Sequence, residues 1–181
     1  MEAEKLHQHY DVELEWEPYE LRPGGPETGW ALPAHVKAKL SAPDNPLKLR
    51  AQALGLKLVE REWIPSSRRA HECTEHARAS GKLEPFHAAV LKAYWEEGKD
   101  LHDWAVLEAA ALTAGLEPVA MRQQVEAGAF KAEVEKRVSA ARDLGVNAVP
   151  TFLLGERFII QGAQEYRVFA QAMEQLGAPR R

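Results

Sequence analysis

The chain has 181 residues, a net charge of −4 and a single cysteine. That length can bury one sizeable core, or a small domain carrying an inserted one. The lone Cys73 excludes an internal disulfide, and the absence of any concentrated basic face argues against nucleic acid as a partner.

Residues 2–9 are compatible with a short helix. From Val12 to Leu21 apolar and acidic residues alternate over the first half, which predicts a half-exposed strand ended by Pro18. Residues 22–29 hold two prolines and three glycines and predict a loop.

From about 33 to 145 the pattern is helical. Pro33 opens a helix to Leu40, and Ser41–Pro46 breaks it. Pro46 opens another helix ending near Gly55, with Leu47, Ala51 and Leu54 on one face. Residues 56–65 predict irregular or short extended chain. Ser66 or Ser67 is the expected N-cap of a helix to about Ser80. Its buried stripe is Ala70, Cys73 and Ala77. A helix from Pro85 to Glu97 follows, then one capped by Asp103 and running to Gly115. Pro118 starts another of about nine residues. A longer helix, marked by Phe130, Val134, Val138 and Ala141, stops at Gly145.

The last stretch is different. Gly145-Val-Asn-Ala-Val-Pro-Thr-Phe-Leu-Leu-Gly-Glu-Arg-Phe-Ile-Ile-Gln-Gly-Ala-Gln164 predicts turn, strand, turn, strand, turn, and then a closing amphipathic helix. An all-helical run between two sheet-forming pieces predicts an inserted helical domain rather than alternating βαβ units.

Cys73 lies in His71-Glu-Cys-Thr-Glu-His76, which invites a metal reading. Helix positions rotate by about 100° per residue, so Cys73 and His76 share a face and His71 points elsewhere. Two ligands fall short of a zinc site. With Ala70 and Ala77 beside it, Cys73 is expected in the core, and no metal is expected. His87 and His102 have no catalytic neighbours in sequence. The five tryptophans (Trp16, Trp30, Trp63, Trp95 and Trp104) are scattered and are expected to fill core and interface space.

Several stretches together resemble the DsbA-like superfamily, in particular its FrnE-type branch. They are Pro18-Tyr-Glu-Leu-Arg-Pro23, Ile64-Pro-Ser-Ser-Arg-Arg-Ala-His71 and Tyr94-Trp-Glu-Glu-Gly-Lys-Asp-Leu101. Gly145–Phe152 and Gln161-Gly-Ala-Gln164 complete the set. The resemblance implies an α/β fold, thioredoxin-like, with an inserted all-helical domain. It divides the chain into 1–32 and 145–181 as the thioredoxin-like part and 33–144 as the insert. It also implies that the first strand and the active-site turn of that fold would lie before Met1.

In the resembling proteins Val149-Pro150 would be cis, which an X-Pro bond tolerates at a cost of only about 0.5–1 kcal/mol. Val149, Pro150 and Thr151 would face the substrate. Ser66, Ser67 and Arg68 lie where relatives carry a polar turn facing the same groove. Three functions stay open. The first is a protein disulfide oxidoreductase of DsbA-like type, without a Cys-x-x-Cys in this chain. The second is a glutathione-dependent isomerase or transferase similar to 2-hydroxychromene-2-carboxylate isomerase. Gln161–Gln164 resembles the oxidoreductase branch more closely. The third is a non-catalytic module that binds extended peptides.

No catalytic residue is assigned, and no cofactor is expected unless the second reading holds, when it would be glutathione. The expected partners are protein thiols or disulfides, or a small molecule, with a homodimer allowed for. Neither nucleic acid nor membrane is among them. The charged N-terminus and the lack of an apolar run of about 18 residues point to a cytoplasmic protein.

Overall fold

The computed structural model describes residues 5–181. Two compact units divide the chain. One comprises Met1–Leu21 with Arg137–Arg181, and the other Arg22–Lys136.

In the first unit, α1 (Leu6–His9) is short, and the part of the expected helix at residues 2–4 lies outside the described residues. Residues 11–20 form no strand, which corrects the expectation for Val12–Leu21. Exposure does alternate there, with Glu13, Glu15 and Glu17 open and Val12, Leu14 and Trp16 half-buried. Alternation reports burial on one side, whereas a strand also needs a ladder partner. What holds the segment is specific. Tyr10 bridges Arg180, Asp11 N donates to Pro179 O, and Arg137 Nη1 reaches Glu15 and Glu17 at 3.4 and 2.6 Å.

The C-terminal part of this unit follows the expected order. Strands β3 (Thr151–Leu154) and β4 (Phe158–Gln161) pair antiparallel, with Phe152 opposite Ile160 and Leu153 opposite Ile159. Gly155 and Glu156 turn the hairpin with φ of 53° and 57°, as a mirror-image turn requires. Arg157 N closes it onto Leu154 O at 3.1 Å. Period-two patterning sends Leu154 and Ile160 into the core and leaves Leu153 and Ile159 exposed. Helix α9 (Tyr166–Leu176) lays Phe169, Ala172 and Met173 on that core with Leu6 and Tyr10. Phe152 meets Phe169 edge-to-face at 4.9 Å.

The second unit is mostly helical. Its main core joins α4 (Arg68–Ala79), α5 (Leu83–Trp95), α6 (Trp104–Thr113) and α7 (Pro118–Glu126). Ala70, Cys73 and Ala77 of α4 are all buried there, against Phe86, Leu107 and Met121. Asp103 caps α6 by accepting from Ala105 N at 2.9 Å. The unit boundary falls within α8 (Lys131–Asp143), between Lys136 and Arg137.

Two features differ from the sequence-based reading. Trp30–Ala31 (β1), just beyond the expected loop at 22–29, pairs antiparallel with Trp63–Ile64 (β2), in the stretch 56–65 expected to be irregular or short extended; the pairing itself was not expected. In α3 (Pro46–Ala53), Ala51 is buried but Leu47 is half exposed, and Leu54 just beyond the helix is too. The face expected to pack is therefore largely open. With α2 (Ala34–Ser41), which buries no side chain, α3 makes a thinly covered part of the unit.

Candidate functional site

The sequence-predicted residues fall in both units. Val149, Pro150 and Thr151 precede and open β3. The Val149–Pro150 bond is cis. Val149 is 48% exposed, Pro150 is exposed and Thr151 half-buried. The backbone around them is held at several points. Gly162 N donates to Pro150 O at 2.8 Å, and Thr151 Oγ1 donates to Ala148 O at 2.7 Å. Tyr19 donates its hydroxyl to Val146 O at 2.6 Å. Gln161 Nε2 reaches Asn147 at 3.4 Å.

Tyr19 was not singled out as a site residue. The signal was there, since it sits in the Pro18–Pro23 motif, but only the folded chain links it to residue 146. Chemically, the loop offers an exposed apolar side chain, a threonine oxygen that can still accept, and the outer edge of β3. Among the described residues the sheet is two-stranded, so β3 has a strand neighbour on one side only.

Ser66, Ser67 and Arg68 stand at the start of α4. Ser67 occupies the N-cap but makes no cap bond with its side chain. Ser66 Oγ accepts instead from Arg68 N, at 3.5 Å. Ser66 and Arg68 line a polar cleft of about 180 Å³ with Arg69, Glu72, His102 and Trp104. Arg68 is committed, with Nε on Glu72 at 3.1 Å and Nη2 on Glu135 at 3.0 Å. The Arg69 guanidinium lies over the Trp104 ring at 4.8 Å and donates to His102 O. An anion entering this cleft would compete with carboxylates already in place. The Arg68–Glu72 spacing of four was a legible helix pair; Arg69, His102 and Trp104 were not legible as neighbours.

Cys73 lies in the helical core with no exposed surface, and burial pushes its thiol up to about 12. It supplies no thiolate near neutral pH. His76 on the same face is buried, with Nδ1 3.1 Å from Gln124 Oε1 and its ring edge-on to Phe130. Among the described residues no cluster of three or more His, Cys, Asp or Glu could hold a metal ion. Nor, among them, is any helix long and apolar enough to cross a membrane.

The chain is similar in sequence and in structure to several known proteins. The Bacillus subtilis protein YwbO is 26% identical over 168 residues, covering 90% of this chain and 82% of its own. The crystal structure of a probable DsbA oxidoreductase from Streptomyces coelicolor superposes with a TM-score of 0.76 at 26% identity, over 88% of this chain and 73% of that one. 2-Hydroxychromene-2-carboxylate isomerase superposes with a TM-score of 0.70 over 97% of this chain and 86% of that one; at 21% identity this is a likeness of fold. The match to the DSBA-like thioredoxin domain spans residues 1–174. With its mostly helical content and small sheets, this chain belongs to the DSBA-like thioredoxin family and has its α/β fold.

Proposed function

We propose that this protein is a DsbA-like member of the disulfide oxidoreductase group whose present residues recognise substrate rather than exchange disulfides. The observation that carries this is the edge at which β3 begins, where Val149 and Pro150 are exposed and the backbone is held by Gly162 N and Thr151 Oγ1. An extended segment can add to such an edge through main-chain hydrogen bonds, with side chains supplying selectivity. Val149, Pro150 and Thr151 are the contact residues in this reading. Separately, and within the helical unit alone, Ser66, Ser67 and Arg68 are candidate polar contacts, with Ser67 Oγ not spent on the helix cap. The burial of Cys73 supports a role for it in packing alone.

The test is fluorescence anisotropy of a labelled, cysteine-blocked extended peptide. The wild-type chain binds it, and Val149→Asp weakens binding at least tenfold while the far-UV spectrum is unchanged. Equal binding by Val149→Asp contradicts the proposed edge. Glutathione-dependent turnover of 2-hydroxychromene-2-carboxylate would move the assignment to the isomerase reading.

A further inference from the structure

A second cleft, of about 230 Å³, lies wholly within the helical unit, away from the Ser66–Arg68 cleft in its lining. Its wall is mainly aliphatic and aromatic, with Leu32, Leu40, Leu47, Ile64, Tyr94 and Trp95 among the residues. Leu47 and Trp95 are 50% and 42% exposed, so the cleft opens to solvent through apolar side chains. Contiguous apolar surface of this kind usually marks an interaction site.

One charged residue in that lining is unusual. The Arg61 guanidinium stacks on the Tyr94 ring at 3.7 Å, and its Nη1 donates to Lys99 O at 3.3 Å. Its Nε and Nη2 are shielded from solvent and have no hydrogen-bond partner. Burial lowers its pKa, and the Tyr94 and Asp100 side chains partly offset this. Asp100 makes no hydrogen bond to that Nε–Nη2 edge, and its Oδ1 accepts from His102 N at 2.8 Å. The Lys48 and Glu60 charges in the same lining neutralise each other by direct pairing.

Stacking uses the face of a guanidinium and leaves its in-plane donors unaffected. Nε–H and Nη2–H on one edge form a fork that matches the two oxygens of a carboxylate. Shielded donors without an acceptor are costly. We infer that this cleft binds a small aromatic or aliphatic monocarboxylate, its carboxylate held side-on by Nε and Nη2 of Arg61 and its apolar body packed against Leu47 and Trp95. The half-exposed Trp95 and Leu47 at the opening are the side chains that shift to admit the ligand.

The test uses 2-naphthoate and its uncharged analogue 2-naphthol, titrated into the full chain and followed by calorimetry and by ¹H–¹⁵N spectra. We expect 2-naphthoate to bind at least tenfold more tightly than 2-naphthol. Shifted amides should concentrate at residues 40–48, 58–64 and 94–95. Arg61→Met keeps the stem and removes the fork, and should abolish the preference for the acid. Leu47→Glu, at an exposed position that spares the fold, should weaken the acid more than the alcohol. Equal affinity for both probes, no binding of 2-naphthoate, or shifts confined to other residues would overturn the inference. So would an unchanged preference in a folded Arg61→Met chain.

Discussion

Cys73 is the residue whose environment decides most about chemistry. Its thiol is fully buried and pushed up to about 12 from a usual 9.0. Below pH 9 the thiol is protonated in both folded and unfolded chains, so the packing contribution is fully present. As pH rises from 9 towards 12 the unfolded chain ionises first, and stability is lost across that window. Three pH units correspond to about 4 kcal/mol at most. Denaturant melts at pH 8 and pH 11 should show this fall, and Cys73→Ala should reduce it, leaving the part due to Tyr94, whose hydroxyl is also pushed up by burial. A native-state thiol reagent should react with Cys73 only as fast as the core opens. A reaction as fast as that of the unfolded chain contradicts the core assignment. The stripe of Ala70, Cys73 and Ala77 made this residue legible, because helical spacing alone fixes which side chains share a face. The same spacing could not reveal that Glu72 and Glu75 would be buried too, each against an arginine of its own helix. That depends on how deep the neighbouring helices seat α4.

At the scale of elements, the caps and turns follow local chemistry. Asn45 Oδ1 accepts from Leu47 N at 2.8 Å and Lys48 N at 3.4 Å, while its Nδ2 holds Lys39 O at 2.8 Å. It joins α2 to α3, so Asn45→Ala should cost about 1–2 kcal/mol by denaturant unfolding. Gly29, just before β1, has φ of 85°, and a Cβ there would lie 2.1 Å from Ile64 O. Gly29→Ala should therefore cost about 1–3 kcal/mol and loosen the β1–β2 pair, seen as faster amide exchange at Leu32. A change below half a kcal/mol in either variant contradicts these roles. Helices opened by Pro46, Pro118 and Asp103 were legible at their first residue, since each start signal acts locally. The hairpin was legible as a short strand, a turn and a second short strand following Val149-Pro150-Thr151. The β1–β2 sheet was not, because two-residue strands carry no periodicity and their pairing joins residues more than thirty apart. The open face of α3 was not legible either, because a pattern shows which residues could pack but not whether anything covers them.

At the scale of the molecule, two compact units carry separate cores. The hairpin core of Leu154, Ile160 and Phe169 is one, and the helical core of Cys73, Phe86 and Met121 is the other. The ordered set of short motifs was enough to reach the DSBA-like family, because each marks a turn or cap that the fold fixes. The segment Val149 to Thr151 was legible as the lead-in to β3, but its link to Tyr19 was not, because that contact spans 127 positions. In the proposed function the chain recognises substrate without exchanging disulfides. Dithiol turnover needs an attacking thiolate and a resolving thiol, and the single cysteine is buried in a core. The most direct test is reduction of insulin by this chain with a thiol reductant, beside Cys73→Ser. No rate above the reductant alone is expected for either protein. A substantial rate that disappears in Cys73→Ser would contradict it.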